Sequence, residues 1–394
     1  MPGGGPRLAL VSVPGQHAFV EAMDALEAGL DVLVFSDNVP LEQEVRLKAE
    51  AGRRDLLVMG PDCGTAVVSG VGLGFANVVR PGPVSLVAAS GTGAQQLLAL
   101  LDAAGVGVRH CLGVGGRDLS AAVGGASARQ ALRMLDADPG TELILVVSKP
   151  PAQQVSAELE ALAATLATPV RFALLGPGRP DLTAAARGVV EGLGLEWAPP
   201  RSWAGWGSTL LGSPSLRGGY AGGTLCDEAM VLAAAELGPI ASNIPLAGAP
   251  RLTGTTPAGG TGHAMTDFGD DEYTRGRPHP MIDNFLRLRW IDTQAVEAVS
   301  GQPRVLLLDI VLGHGAHPDP AAELAPAIAA ARAEAAEGAG LDVVVALIGT
   351  DGDPQGLLRQ AAALHQAGAH VHLSNADAAR AAVALVVQAT MEKA

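Results

Sequence analysis

The chain has 394 residues, 48% of them hydrophobic but only 3% aromatic, with 51 glycines and a formal charge of −14. That length and apolar content suit two or three cored α/β domains, and an acidic chain without a basic stripe excludes nucleic acid and anionic membrane as general partners. The three dispersed cysteines, Cys63, Cys111 and Cys226, form no CxxC or Cys/His spacing, so neither a disulfide framework nor a cysteine metal site is expected, and a cytoplasmic setting fits.

The opening MPGGGPRLAL lacks the basic region and apolar core of a signal peptide, and no apolar run approaches the roughly 18 residues of a membrane span. From there "RLALVSV", a helix from about Phe19 to Ala28, "DVLVFS", a helix near Leu41 to Ala51 and "DLLVMG" alternate as βαβαβ, a parallel-sheet domain over 1–80. Residues 81–195 continue with strands "PVSLVAAS", "HCLGVGG", "ELILVVS" and "VRFALLG", each followed by a turn and a helix. "EWAPPRSWAGWGSTLLGSPSLRG", 196–218, is rich in Pro, Gly, Ser and Trp without a period and reads as a linker to a last domain over 219–394.

In "VSLVAASGTGAQQLLALL" a β-branched run passes through Ser90-Gly91-Thr92-Gly93 into a helical pattern. Small residues there let backbone N–H groups and a helix N-terminus face an anion; alternatively Gly91 and Gly93 only let the helix pack closely on the sheet. The segment after the linker echoes the one before it: "YAGGTLCDEAMVLAAA" follows "AASGTGAQQLLALL", and "PRVLLLDIVLGHGAHPD" follows "TELILVVSKPPA". Gly222-Gly223-Thr224 is then a second anion turn, and two copies packed about a pseudo-twofold axis would set the turns opposite one another.

The order "FSDNV", "MGPDCGT", "ASGTG", "GVGGRDLS", "VSKPPA", "GGTL", "DFGDDEYTRGRPHPMID" and "LLLDIVLGHGAHPDPA" resembles the FdrA family, relatives of the acyl-CoA synthetases of the succinyl-CoA synthetase type, over nearly the whole chain. The resemblance implies an α/β fold: a truncated CoA-binding-like Rossmann domain, then two flavodoxin-like ligase-type domains with parallel sheets, akin to the synthetase α subunit and the end of its β subunit. It also implies a subunit of an oxamate carbamoyltransferase of allantoin (ureide) catabolism, converting oxalurate and phosphate to oxamate and carbamoyl phosphate within a homo- or hetero-oligomer that includes other carbamoyltransferase subunits. Two departures from the synthetases stand out. The chain begins at Arg7 inside what would be a later strand, without their Gly-rich CoA turn, and the place of their phosphorylated histidine reads "LLGPGRPDLTAAARG". CoA and a phosphohistidine relay are therefore not expected. His314, in "GHGAH", follows a different strand and reads as a loop histidine hydrogen-bonded to a neighbour.

Carbamoyl transfer of that kind needs two anions brought together and charge on the carbonyl oxygen stabilised. The two turns are candidates to hold phosphate, a substrate here, with Lys149 at a strand end beside them. Arg117 and Asp118 in "GGRDLS" are candidates for catalysis, against the alternative that they pair across their turn. Asp267, Asp270, Asp271, Glu272, Arg275, Arg277, His279 and Asp283 fall within seventeen residues. There Arg275 and Arg277 could clamp a carboxylate, while the acidic members could orient them or hold Mg²⁺, or the whole could be a solvated interface loop. Asp62 and Cys63 are further candidates, the cysteine more in keeping with a small buried hydrophobe. An ADP- or GDP-forming acyl-CoA ligase and a non-catalytic assembly subunit are the rival readings.

Overall fold

The structure, a computed structural model, describes residues 8–208, 210–255 and 262–391; Arg7 lies outside them. Two compact units divide the chain. The first takes 1–94, 105–180 and 184–195, and the second 95–104, 181–183 and 196–394.

The first unit opens with β1 (Leu8–Val11), α1 (Gly15–Glu27), β2 (Asp31–Val34), α2 (Leu41–Arg53) and β3 (Val58–Met59), and β1-β2-β3 form a parallel sheet. α1 begins at Gly15, four residues ahead of the sequence expectation, and buries Gly15, Ala18, Ala22 and Leu26, the spacing of one helix face. β4 (Thr65–Val68) and β5 (Val71–Gly74) form a hairpin, followed by β6 (Val84–Ala89), α3 (Gly91–Ala103, counted with the second unit from Gln95 on), β7 (Val108–Gly113), α4 (Ala126–Asp136), β8 (Leu143–Ser148), α5 (Gln153–Ala163), β9 (Val170–Leu174) and α6 (Leu182–Gly192, counted with this unit from Ala184 on). These strands make a six-stranded sheet ordered β5-β4-β7-β6-β8-β9, parallel across β7-β6-β8-β9 and antiparallel at β4. One core cluster joins Leu33, Leu57 and Met59 with Leu112, Ile144 and Val146, so side chains from both sheets of this unit share it.

The second unit contains β10 (Ser202–Trp203), β11 (Ser215–Tyr220), α7 (Gly223–Leu237), β12 (Ala241–Ser242), β13 (Ala264–Asp267), α8 (Asp271–Thr274), α9 (Phe285–Val299), β14 (Arg304–Val311), α10 (Pro320–Ala335), β15 (Leu341–Ile348), α11 (Leu357–Gln366), β16 (His370–His372) and α12 (Asn375–Met391). Its sheet runs β10-β16-β15-β14-β11-β13-β12. β13-β11-β14-β15 is parallel and repeats the order of β7-β6-β8-β9, so the echo in the sequence is an echo in topology. In both runs the first strand lies between the second and third, which creates a switch point at its carboxyl end. Every residue of β6, β8, β14 and β15 is buried, as parallel strands covered on both faces require.

Two buried polar networks pin helices within these units. In the first, Lys48 Nζ on α2 donates to Glu44 Oε1 (2.7 Å), Asp118 Oδ1 (2.8 Å) and the Val114 carbonyl (2.9 Å), using all three of its protons. Arg117 Nε donates to Glu44 Oε2 at 2.9 Å, closing a quartet of two cations and two carboxylates. Asp118 also accepts the Ser127 and Ala128 N–H groups in the first turn of α4. In the second unit Glu228 on α7, 1% exposed, accepts the Leu182 N–H (2.6 Å) and Asn375 Nδ2 (2.7 Å). Burial pushes its carboxyl up to about 7.

Lys48→Met leaves Asp118 buried without its cation and Glu44 with Arg117 alone. It is expected to lower the unfolding free energy in urea by about 3–5 kcal/mol; a loss under about 1 kcal/mol would show the quartet to be dispensable. Glu228 imposes a pH dependence whose sign is fixed. The native state keeps this proton to about pH 7, whereas an unfolded glutamate releases it near 4.3, so between those values the native state binds more protons and stability falls as pH rises. Glu228→Gln removes that decline. The melting temperature of the variant relative to wild type is expected to climb from pH 4.5 to 7 and then level, and a constant difference across that window would rule the mechanism out.

Candidate functional site

In a parallel sheet the turns that follow successive strands collect at one edge. At that edge of the first unit stand Ser90 to Gly93 after β6, Arg117 and Asp118 beyond β7, and Lys149 after β8. Ser90 is buried and its Oγ accepts the Gly93 N–H at 2.9 Å, so this hydroxyl caps α3. Gly91 is exposed and Thr92 half-buried. A Cβ on Gly91 would meet only Thr65 Oγ1, at 3.6 Å, an ordinary contact, so close packing on the sheet does not require glycine at this position. Arg117 and Asp118 do not pair across their turn. Each reaches α2 instead, Arg117 to Glu44 and the Val39 carbonyl and Asp118 to Lys48. Lys149 is half-buried. Asp62 is exposed in a left-handed conformation, and Cys63 beside it is buried with its thiol pushed up to about 12 by desolvation, which suits a packing residue and not a thiolate nucleophile.

At the corresponding edge of the second unit the turn after β11 is held by a carboxylate that sequence reasoning passed over. Asp309, fully buried in β14, accepts the Ala221 N–H at 2.7 Å and the Gly222 N–H at 2.8 Å. Burial raises the Asp309 carboxyl, and Arg287 Nη1 opposes that rise from 3.2 Å away. Arg287 is itself fixed by the Asn284 side chain and the Pro280 carbonyl. The Gly222 N–H thus already serves an internal anion, and Gly223 and Thr224 begin the first turn of α7 beyond it. The signal for Asp309 lay in the open: it is the one charge in the apolar run "LLLDIVL".

The loop after β13 comes to the same turn through Gly269. A Cβ there would fall 2.4 Å from the Ala221 carbonyl, 2.9 Å from His279 Nε2 and 3.1 Å from Asp267 Oδ1, so only glycine lets the two strand ends and the histidine approach. Asp270 caps α8 by accepting the Glu272 N–H, Asp283 accepts the Phe285 N–H, and Asp271 is exposed. Among the described residues no three His, Cys, Asp or Glu side chains converge as a metal site requires, so the Mg²⁺ expectation finds no ligand set. Arg275 and Arg277 are exposed, and no described side chain pairs with either. Arg277 lines a shallow depression of about 200 Å³ with Pro278, Pro280, Asp283, Phe285 and Leu286. His314 is exposed and makes no side-chain hydrogen bond to a described residue, which corrects the expectation of a bonded loop histidine. The structure therefore brings His279 and Asp267 to the α7 turn but shows no contact of Arg275, Arg277 or His314 with it.

Among the described residues no helix is long and apolar enough to cross a membrane. The CoA-ligase family pattern matches residues 220–385, from the end of β11 into α12. The succinate–CoA ligase [ADP-forming] α subunit of Methanothermobacter thermautotrophicus is 24% identical over 144 residues, 36% of this chain and 48% of that protein. Its counterpart in Aquifex aeolicus is 26% identical over 151 residues, 37% of this chain and 48% of that protein. The protein YahF of Escherichia coli K12, described as uncharacterized, is 38% identical over 390 residues that take in 92% of this chain and 73% of that protein. At that identity and coverage the chain belongs to the YahF family, and it carries a CoA-ligase domain.

Proposed function

We propose that the chain is an FdrA-type acyl-transfer subunit that passes a carbamoyl group between oxalurate and phosphate, as part of a carbamoyltransferase of ureide catabolism in the cytoplasm. The observation that carries this reading is the α7 turn. It opens the CoA-ligase domain at a topological switch point, and Asp309 holds its backbone before any ligand arrives. The Ala221 and Gly222 N–H groups are taken by Asp309, so it is the N-terminus of α7 beyond them, opening at Gly223, that favours an anion such as phosphate. Arg275 and Arg277, without ion-pair partners among the described residues, are available to a carboxylate or to a carbonyl oxygen gaining charge. The motif order from "FSDNV" to "LLLDIVLGHGAHPDPA" supports the FdrA assignment.

The kinship with succinate–CoA ligase α subunits favours a second reading, a nucleotide-dependent acyl-CoA ligase. Residues 175–192, the turn after β9 and α6, contain no histidine to carry a phosphoryl group. Incubation with CoA, a nucleoside triphosphate and succinate is therefore expected to yield neither succinyl-CoA nor an acid-labile phosphoprotein, and either product would favour the ligase. For the carbamoyl reading, Arg275→Lys and Arg277→Lys keep charge and lose the planar fork. Loss of a donor aimed at developing charge costs roughly 100- to 1000-fold in rate, and a fall of that size is expected in carbamoyl phosphate formation from oxalurate and phosphate. Rates within about threefold of wild type in both variants would remove this loop from the site.

A further inference from the structure

α9 is anchored on one side and bare on the other. Arg287, Trp290, Ile291, Gln294, Ala295 and Ala298 face inward. Phe285, Val296 and Val299 face solvent, 53%, 60% and 43% exposed, and Ile282, in the turn just ahead, is 44% exposed. The outward positions Phe285, Arg289, Asp292, Val296 and Val299 advance by four, three, four and three residues, the spacing that keeps a seam on one side of a helix. Two opposite charges occupy its centre. Arg289 lies over the Phe285 ring at 5.9 Å and has no carboxylate partner, and Asp292 is exposed and unpaired among the described residues.

The seam is self-complementary in one direction only. If a second α9 lies antiparallel about a twofold axis passing midway between Arg289 and Asp292, Arg289 meets Asp292 of the second copy and Phe285 meets its Val296. A parallel pairing would instead set arginine against arginine and aspartate against aspartate, which opposes association. We infer that this face of α9 is an isologous dimer interface occupied by a second copy of the chain in that antiparallel register. The two charge pairs set the register, and the apolar pairs flanking them exclude water from it. This inference is independent of the carbamoyl reading, since it invokes no substrate and its test reads mass.

Sedimentation velocity of the whole chain over roughly 1–100 µM, the range suited to a small interface, provides that test. Wild type is expected to dimerise. Arg289→Asp and Asp292→Arg should each weaken the dimer at least about tenfold, because each homodimer then holds two like-charge pairs. Both positions are exposed, so the far-UV circular dichroism spectrum should stay unchanged and confirm that folding is intact. An equimolar mixture of the two variants should dimerise again, since every facing pair in the heterodimer is then opposite in charge. Wild type that stays monomeric throughout, a dimer indifferent to both substitutions, or a mixture no more associated than its components would each overturn the proposal.

Discussion

The site end of the second unit depends on one carboxylate. A buried strand of a parallel sheet has little tolerance for a charge, since removing it from water costs several kcal/mol unless partners replace the water. Asp309 meets that cost with two backbone N–H groups and a guanidinium. Those partners in turn determine where β11 ends, how α7 starts and how α9 lies on the sheet. The lone pairs of one side chain thereby connect three consecutive pieces of the repeat, and the geometry of the turn is settled by the protein before any ligand is considered.

The first unit solves the same problem differently. Its corresponding turn is closed by Ser90, a neutral cap, and its buried charge has moved to the junction of α2 with the loop before α4. The quartet there uses every donor of Lys48 and satisfies Asp118 from three directions. Arg117 and Asp118 sit where ligands gather in open sheets, yet their hydrogen-bonding capacity is directed at α2 and α4. The two halves of the repeat share a topology and have invested their charges in different places, so a likeness of fold does not carry a likeness of site.

Much of this architecture was legible because parallel strands buried on both faces read as unbroken apolar runs, as β6, β8, β14 and β15 do. The antiparallel hairpin at 65–74 was not, although its signal was present. Ser69 and Gly70 both take positive φ, 50° and 79°, the requirement of a two-residue hairpin turn, and they sit between two pairs of small apolar residues. Asp309 was equally visible and was passed over in favour of the crowded loop at 267–283. Lys48 could not have been singled out, since "LEQEVRLKAEAGR" is charged at nearly every other position and only tertiary contact decides which charge goes inside. The Glu228–Asn375 bond spans 147 residues, and no local pattern announces it.

The discontinuity of the second unit has a consequence for biosynthesis. It includes residues 95–104, which leave the ribosome long before the rest of that unit exists. Leu97, Leu98 and Leu101 in this segment are wholly buried in the finished protein. At about 5–20 residues per second, translation from there to the end of α12 takes roughly 15–60 s, far longer than the microseconds in which a chain collapses. During that interval the nascent polypeptide displays an apolar helix whose covering elements have not been made. Burial of those leucines therefore waits on the synthesis of the rest of that unit, however stable the completed fold is.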